Sequence, residues 1–386
     1  MKYKVKFVNP VKNYNIINDE IDAAYFEVMS KGDLIDRGQL KSFEENLAKF
    51  TGTKYAVGLN SGYDALHMSL RAVGIGPGDE VIVPAHTFVA SCSAIVNVGA
   101  TPVLVDVGKD FNIDCDKIEE AVTSRTRGII PVHLSGYMAD MVRVMEIASK
   151  YKLVVVEDAC QSLGSSMECS NRVKCEVLGV RQETPWRKMA GAWGLTGCWS
   201  FYPFKILGGY GDGGAITTND HDVALFATRM RYNGEDRDTG EYHGHGFTCL
   251  LDNMQAAFLD VKLRYLPQWI VRRKDIAELY RKALSDIPDL LLPHYNDSRR
   301  DHIYQNYTVR SKQGNAFSEF MKANGVEVLT QFRKPYYKHE ALKLEDRGFP
   351  ETDALSREVC SLPMNVEIED SEVDYVIEVV RKFYNK

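Results

Sequence analysis

The sequence predicts an α/β protein built on a mostly parallel sheet, and three observations support that prediction. Helical and apolar strand-like segments alternate over about the first two-thirds of the 386-residue chain, as helical crossovers between parallel strands require. The runs Ile129–Val132 and Leu153–Val156 are continuously apolar, which is typical of strands buried on both faces. A composition of 45% hydrophobic and 26% charged residues is that of a globular chain with a sizeable core.

Each element is predicted from its local pattern. Short runs rich in aliphatic residues indicate strands, and apolar residues three or four positions apart indicate helices. The predicted strands are Tyr55–Leu59, Glu80–Val83, Thr101–Val105, Gly128–Val132 and Leu153–Glu157. The predicted helices are segments of Asp19–Lys49, interrupted around Gly32–Gly38, then Asp64–Val73, Ser91–Val98, Asp116–Val122 and Met138–Tyr151.

The pattern changes after about Asp252. A long helical stretch leads there into a smaller region that mixes short strands and helices. The predicted elements are helix Asn253–Ser285, strands near Ile303–Val309 and Glu327–Leu329, and helices Asn315–Asn324 and Ser371–Tyr384. We therefore expect a large domain over residues 1–252, and a connecting helix with a small α+β domain over residues 253–386.

One segment of the large domain, Met167–Ala192, has little periodicity and mixes charges with two cysteines. Such a stretch inside a compact domain is typical of a loop insertion. It is interpreted as a surface excursion, with a functional flap as the alternative.

Composition excludes several classes of protein. The 47 basic and 53 acidic residues leave a net charge of −6, so no basic excess favours nucleic acid or an anionic membrane. The eight cysteines are scattered without a CxxC pair, which favours a reduced cytoplasmic protein over a disulfide framework or a metal site.

The N-terminus lacks the apolar core of a signal peptide. The best membrane candidate, Phe88–Asp106, contains polar residues and a proline, so a helix followed by a buried strand explains it better than a span.

The densest chemical signal is the segment Ser200–Ile216, in which Lys205 follows an aromatic-rich strand and precedes five glycines. Glycines allow the backbone to approach a ligand closely. A lysine held among apolar neighbours can lose its proton near neutral pH, which makes its amine a nucleophile for a carbonyl. Lys205 is therefore a candidate Schiff-base residue, and an exposed lysine in a glycine-rich turn is the alternative.

Further candidates follow other predicted strands. Asp158 lies at the strand end where α/β proteins bind ligands, and its carboxylate could pair with a protonated ring nitrogen or simply cap a helix. Gln161 is close enough in sequence to bond the same ligand. Ser61 and Gly62 begin a helix whose free N–H groups suit a phosphate, with an ordinary N-cap by Ser61 as the alternative.

Two ring side chains each have two possible interpretations. Phe88 follows a predicted strand and could stack on a planar ring or belong to the core. His133, in the segment PVHLSG, could face a ligand or be buried and structural.

In chain order, the turn suited to a phosphate, the aromatic ring, the strand-end carboxylate and the lysine resemble the motifs of the DegT/DnrJ/EryC1/StrS family of sugar aminotransferases. The similar blocks cover almost the whole chain and read FEENLAKFTGTKYAVGLNSGYDAL, GIGPGDEVIVPAHTF, GATPVLVDV, EDACQSLGS, SFYPFKILGGYGDGGAI, LDNMQAAFLDVKL and VCSLPMNVEIEDSEVDYVIEVV. The resemblance implies the fold-type I, aspartate-aminotransferase-like fold. That fold has a large domain with a mostly parallel seven-stranded sheet and a smaller α+β C-terminal domain.

The resemblance also implies pyridoxal 5′-phosphate as cofactor and a homodimer with shared active sites. Lys205 would bond to the cofactor and move protons between cofactor and substrate carbons. Asp158 would pair with the pyridine nitrogen. The other implied cofactor contacts are Gln161 at the ring hydroxyl, Phe88 on the ring, and Ser61, Gly62, Ser200 and the partner subunit's Thr248 at the phosphate. Candidate substrate contacts are His133, Tyr202, Arg333 and Lys334.

The implied reaction transfers the amino group of L-glutamate to a keto group of a nucleotide-linked sugar. It would serve amino-sugar biosynthesis for lipopolysaccharide, other surface glycans or secondary metabolites. Dehydratases of the family carry histidine in place of the lysine, so Lys205 favours amino transfer. A pyridoxal-phosphate sugar dehydratase or lyase and a cofactor-binding regulatory relative remain the alternatives.

The sequence departs from the common family pattern near the expected substrate site. Thr248 stands where asparagine is common, and Leu250 stands where arginine is common. Gln331, Phe332 and Arg333 stand in place of a His-Tyr-Pro sequence.

Overall fold

The computed structural model describes residues 3–169, 186–293, 295 and 297–385. The strands of its larger region are β1 (Tyr55–Leu59), β2 (Glu80–Pro84), β3 (Thr101–Val105), β4 (Thr126–Ile129), β5 (Val154–Asp158), β6 (Ser166–Cys169), β7 (Trp186–Met189), β8 (Thr196–Ser200) and β9 (Gly214–Thr218). Seven of them form one sheet in the order β1-β9-β8-β5-β4-β2-β3. Only β9 runs antiparallel to its neighbours in this sheet. The predicted α/β fold with a mostly parallel seven-stranded sheet is confirmed.

Helices cover both faces of this sheet. They are α1 (Pro10–Lys31), α2 (Gly38–Thr51), α3 (Gly62–Ala72), α4 (Val89–Asn97), α5 (Cys115–Glu120), α6 (Met141–Tyr151) and α7 (His221–Met230). Each face of the sheet packs against its own apolar cluster. In β2, Val81 and Val83 belong to one of these clusters and Ile82 belongs to the other. Because side chains alternate between the two faces of a strand and both faces are buried, the strands read as continuous apolar runs.

A smaller region follows the long helix α8 (Asn253–Leu284). Its strands are β10 (Leu290–Leu291), β11 (Arg300–Asp301), β12 (Tyr307–Ser311) and β13 (Val359–Leu362), and its helices are α9 (Gly314–Ala323), α10 (Pro350–Glu358) and α11 (Asp370–Phe383). Strands β10, β12 and β13 form a three-stranded sheet. Tyr280 of α8, Tyr307 of β12 and Val376 of α11 share one buried cluster. The domain boundary at residue 252 stays a prediction.

Several predicted element bounds are wrong for local reasons. Helix α1 begins at Pro10 rather than near Asp19, because the Asn9 side chain accepts a hydrogen bond from Lys12 N–H at 3.3 Å and proline suits the first helical turn. The strand expected from Ile303 begins only at Tyr307, because Tyr304 has a left-handed φ of 53°. The strand expected over Glu327–Leu329 is a single bridge between Leu329 and Ser361.

The interpretation of Met167–Ala192 as a surface loop is wrong for both of its ends. Strands β6 and β7 pair antiparallel there, and β11 pairs with β6. Met167 is fully buried, and the rings of Trp186 and Trp193 stack with their centroids 5.0 Å apart. These strands are too short to leave a periodic signal in the sequence. Residues 170–185 lie outside the described residues.

The segment Phe88–Asp106 folds as expected, with helix α4 followed by strand β3. Within the described ranges, no helix is both long and apolar enough to cross a membrane.

Candidate active site

A cavity of about 590 Å³ opens at the sheet edge where β1, β2, β5 and β8 end. These strands run in the same direction, so the segments that follow them meet at one edge, where open α/β sheets bind ligands. The predicted site residues that line the cavity are Ser61, Gly62, Phe88, Asp158, Gln161, Ser200, Tyr202 and Lys205. The structure thus brings together residues that are spread over almost 150 positions of the sequence.

Asp158 is the last residue of β5 and is only 6% exposed. Ser91 Oγ donates a hydrogen bond to Asp158 Oδ2 at 2.7 Å, and Cys160 N–H donates to Asp158 Oδ1 at 3.3 Å. Thr87 Oγ1 lies 3.0 Å from Ser91 Oγ. The two hydrogen bonds that Asp158 accepts hold its buried carboxylate in one orientation. Asp158 caps no helix in this arrangement, because the next described residues form turns.

Gln161 presents a defined end to the cavity. Its amide oxygen accepts a hydrogen bond from Ser135 N–H at 2.8 Å. Because a backbone N–H can only donate, this contact identifies the oxygen end of the amide. The NH₂ end is therefore the one that can donate to a ligand oxygen, such as a ring hydroxyl.

The N-terminus of helix α3 also borders the cavity. Ser61 Oγ accepts a hydrogen bond from Asp64 N–H at 3.1 Å, so Ser61 is an N-cap as well as a cavity residue. The first N–H groups of a helix have no intrahelical partner and attract anions. A Cβ on Gly62 would lie 2.7 Å from Cys160 Sγ and 2.8 Å from Ser200 Cβ. The start of the helix therefore packs so closely against Cys160 and Ser200 that the Cβ of any other residue would clash with them.

Lys205 lies in the turn that follows β8. Its N–H donates to Tyr202 O at 2.8 Å, and its side chain is half-buried and lines the cavity. Cys160 lies close to it in the same lining. Burial and the Asp158 carboxylate raise the pKa of the Cys160 thiol well above its ordinary value, so this thiol carries no charge in the cavity.

Two aromatic side chains of the cavity lining are open to solvent. Phe88 is 60% exposed and Tyr202 is 48% exposed, although large aromatic residues are usually mostly buried. A core role for Phe88 is therefore wrong. Exposed aromatic faces at the opening of a cavity provide surfaces on which a planar ring can stack.

His133 does not line this cavity, and its interpretation as a substrate contact is corrected. The ring is fully buried. Its Nδ1 accepts from Ala139 N–H at 3.2 Å, so the proton lies on Nε2, which donates to Glu157 Oε2 at 2.9 Å. Both ring nitrogens are used inside the protein, which makes His133 structural.

Glu157, the partner of His133, organises the loop before β8. Its carboxylate also accepts from the N–H groups of Gly191 at 2.9 Å, Trp193 at 2.6 Å and Gly194 at 2.7 Å. We expect Glu157→Gln to lower the free energy of unfolding by about 3 kcal/mol, because one amide cannot accept from all four donors in the buried site. Urea denaturation measures this loss. Glu45→Gln, at an exposed helix position, is the control, and equal stability of both variants would contradict the prediction.

Three other predicted residues lie away from the cavity of their own chain. Thr248 is exposed, and its Oγ1 donates to Asn233 Oδ1 at 2.9 Å. Arg333 and Lys334 are exposed, and Arg333 contacts Ser318 Oγ on α9. The substrate interpretation of Arg333 and Lys334 is therefore not supported within one chain. Thr248 stays a prediction, because its expected role is in the site of a partner subunit.

Several cavity residues were not selected from the sequence. Thr87, Cys160, Asp212, Gln305 and Asn306 line the cavity, as do Gln331 and Phe332, which were singled out only as departures from the family pattern. Cys160 had a usable signal, because it lies between Asp158 and Gln161. Gln305 had none, because it lies 100 positions from Lys205 and no local pattern relates the two.

The groups in the cavity fit pyridoxal phosphate. The cofactor needs an amine to bond to its aldehyde, a carboxylate to pair with its protonated ring nitrogen and an anion site for its phosphate. Lys205, Asp158 and the start of α3 supply these three, and the close approach at Gly62 brings the helix N–H groups to the cavity wall. Among the described residues, no group of three or more His, Cys, Asp or Glu side chains could hold a metal ion.

Known proteins are similar to this chain in sequence and fold over nearly their full lengths. Residues 15–381 match the model of the DegT/DnrJ/EryC1/StrS aminotransferase family. The chain is 34% identical to a pleiotropic regulatory protein of Geobacillus stearothermophilus, over 97% of this chain and 96% of that protein. It is 35% identical to the dTDP-3-amino-3,4,6-trideoxy-alpha-D-glucose transaminase of Streptomyces venezuelae, over 98% of this chain and 96% of that protein. The crystal structure of S. venezuelae DesV in complex with a ketimine intermediate has a TM-score of 0.91 at 34% identity, over 100% of both chains.

Proposed function

The chain belongs to the DegT/DnrJ/EryC1/StrS aminotransferase family, and we propose that it transfers an amino group from L-glutamate to a keto group of a nucleotide-linked sugar. Pyridoxal 5′-phosphate is the proposed cofactor. The observation that carries the proposal is the meeting of Lys205, Asp158 and the start of α3 in one cavity. The similarity to a dTDP-sugar transaminase over 98% of this chain supports the class of substrate.

Each side chain has a separate task in the proposed reaction. Bound pyridoxal phosphate supplies an aldehyde that bonds to amines and a ring that accepts electron density. Lys205 Nζ would move a proton from the α-carbon of glutamate to the cofactor in the first half-reaction, and from the cofactor to the aminated sugar carbon in the second. The Asp158 carboxylate, held by Ser91 Oγ at 2.7 Å, holds a proton on the pyridine nitrogen.

The remaining groups orient the reactants. The NH₂ end of Gln161 donates to the ring hydroxyl, and the exposed face of Phe88 covers the ring and excludes water from it. The N–H groups at the start of α3, together with Ser61 and Ser200, hold the phosphate, which suits a helix N-terminus. The lining of the cavity and the chemistry of each side chain support these roles.

The proposed assembly is a homodimer in which each chain completes the phosphate site of the other. The exposed Thr248, which lies outside its own cavity, supports this arrangement. Light scattering should give about twice the 43.6 kDa mass of one chain. A monomeric enzyme with full activity would contradict it. The cytoplasmic location stays a prediction that rests on the scattered cysteines.

The half-reactions test the function directly. In the absence of sugar, L-glutamate should convert the bound cofactor to its amine form, seen as a change in absorbance, and release one equivalent of 2-oxoglutarate. A panel of dTDP-, UDP- and GDP-linked keto-sugars should then restore the first spectrum. Loss of water or ammonia from a sugar without gain of an amine would favour the dehydratase or lyase alternative. No turnover with either substrate would favour a regulatory protein.

The contact at Gly62 predicts a defect in cofactor binding. We expect Gly62→Ala to weaken pyridoxal-phosphate binding about tenfold, or about 1.4 kcal/mol, because the added Cβ displaces the helix start from Cys160 and Ser200. Absorbance titration of the apoprotein measures the Kd. Gly38→Ala is the matched control, because a Cβ there meets no atom within 4 Å. Binding at the wild-type Kd in Gly62→Ala would rule out this anion site.

A further inference from the structure

The side chain of Gln305 forms hydrogen bonds to the backbone on both sides of Lys205. Its Oε1 accepts a hydrogen bond from Ile206 N–H at 2.7 Å, and its Nε2 donates to Phe204 O at 3.0 Å. One side chain thus holds the peptide groups that directly flank the lysine. Gln305 is 5% exposed and lines the same cavity, so water competes poorly for these two bonds.

The backbone of Gln305 is itself held firmly. The buried Arg273 of α8 donates from Nη1 to Tyr304 O at 2.9 Å and to Gln305 O at 3.0 Å. Tyr304 has a left-handed φ of 53°, which for a bulky residue persists only where surrounding contacts impose it. A Cβ on Gly136 would lie 2.7 Å from Gln305 N, so the turn at Gly136 leaves no room for the glutamine backbone to shift toward it.

Other contacts hold the lysine turn further along the chain. Lys262 Nζ donates to Gly208 O at 2.8 Å, and Gln255 Oε1 accepts from Tyr210 N–H at 2.9 Å. Both side chains belong to α8, and they bond to backbone groups that lie three or more residues after Lys205. Gln305 instead precedes β12 of the smaller region, and it acts on the residues on either side of Lys205.

We propose that Gln305 is a positioning residue that directs the Lys205 side chain into the cavity by fixing the two peptide groups beside it. Its role in turnover rests on the proposed function of Lys205. The same bonds couple the orientation of the lysine to the packing of the smaller region, because Gln305 lies two residues before β12. Small errors in the placement of a reacting group cost large factors in rate, so the effect should appear in kcat rather than in KM.

The test compares Gln305→Leu and Gln305→Glu with Gln268→Leu at an exposed position of α8. Leucine removes both bonds. Glutamate keeps the acceptor for Ile206 N–H and loses the donor to Phe204 O. The first readout is hydrogen–deuterium exchange of the Ile206 amide in protein freed of cofactor, which needs no catalysis. The second readout is kcat and the KM for the keto-sugar.

Gln305→Leu should raise the exchange rate at Ile206 at least about tenfold and lower kcat about 10- to 100-fold, with a KM changed less than about threefold. Gln305→Glu should fall between this variant and the wild type, and Gln268→Leu should match the wild type. An unchanged exchange rate at Ile206 would overturn the proposal. An exchange rate that rises evenly over residues 297–385 would also overturn it, because it indicates a general loss of structure. Faster exchange at Ile206 alone in a protein without transaminase activity would support the contact and contradict the proposed function instead.

Discussion

Replacing Lys205 with alanine should lower the rate of amino transfer at least about 1000-fold. The amine is the group that bonds to the cofactor and the group that moves the proton, and loss of a general base alone costs about 10²–10⁴ in rate. Lys205 lines the same cavity as Asp158, Gln161 and Ser200. The measurement is single-turnover conversion of the cofactor by L-glutamate, followed by its absorbance.

Two further readouts separate this role from a loss of structure. Borohydride should fix the cofactor to the peptide containing Lys205 in the wild type, and should fix none there in Lys205→Ala. A small primary amine added to the variant should restore part of the rate, because it fits the space left by the side chain and can carry the proton. Lys41→Ala, at an exposed position of α2, should keep the wild-type rate. Multiple turnovers by Lys205→Ala without added amine would refute the assignment.

Replacing Asp158 with asparagine should lower kcat about 100- to 1000-fold. The two side chains have the same size, and the remaining oxygen can still accept from Ser91 Oγ, which lies 2.7 Å from the carboxylate. Asparagine cannot balance the charge of a protonated ring nitrogen, so negative charge that develops in the transition state is less stabilised. We expect near-normal folding and a changed absorbance of the bound cofactor.

Ser91→Ala provides the matched comparison for Asp158→Asn. It keeps the carboxylate and removes one of its hydrogen bonds, so the rate should fall less than about tenfold, in line with about 1 kcal/mol for one bond. A larger loss in Ser91→Ala than in Asp158→Asn would show that orientation of residue 158 matters more than its charge. A kcat within about threefold of wild type in Asp158→Asn would contradict the ring-nitrogen role.

The sequence was most informative where structure is local. Strand β1 and strand β3 have the predicted bounds, and helix α3 begins within two residues of its predicted start. A short, mostly apolar strand between glycine-containing turns contains its own signal. The same holds for Ser61 and Gly62 and for the glycine-rich segment after Lys205, where the chemistry is concentrated in a few adjacent residues.

The sequence was least informative where a residue's role depends on distant partners. His133 occupied a strand-end position like that of Asp158, yet its ring turns inward to Glu157 at 2.9 Å, a contact with no sequence signature. Arg333 and Lys334 carried charges suited to a substrate, but the fold leaves both exposed and outside the cavity. The left-handed φ of Tyr304 delayed to Tyr307 a strand that was predicted to begin at Ile303.

The sequence by itself determined the α/β class, most of the strands and helices of the larger region, and the candidate site residues, because these depend on patterns spanning only a few residues. Tertiary structure alone decided how those residues are held. Ser91 reaches Asp158 across 67 positions, and Gln305 reaches Ile206 across 99. Such contacts arise when strands align in a sheet and a second region packs against it, so only the folded chain shows which side chains orient Lys205 and Asp158.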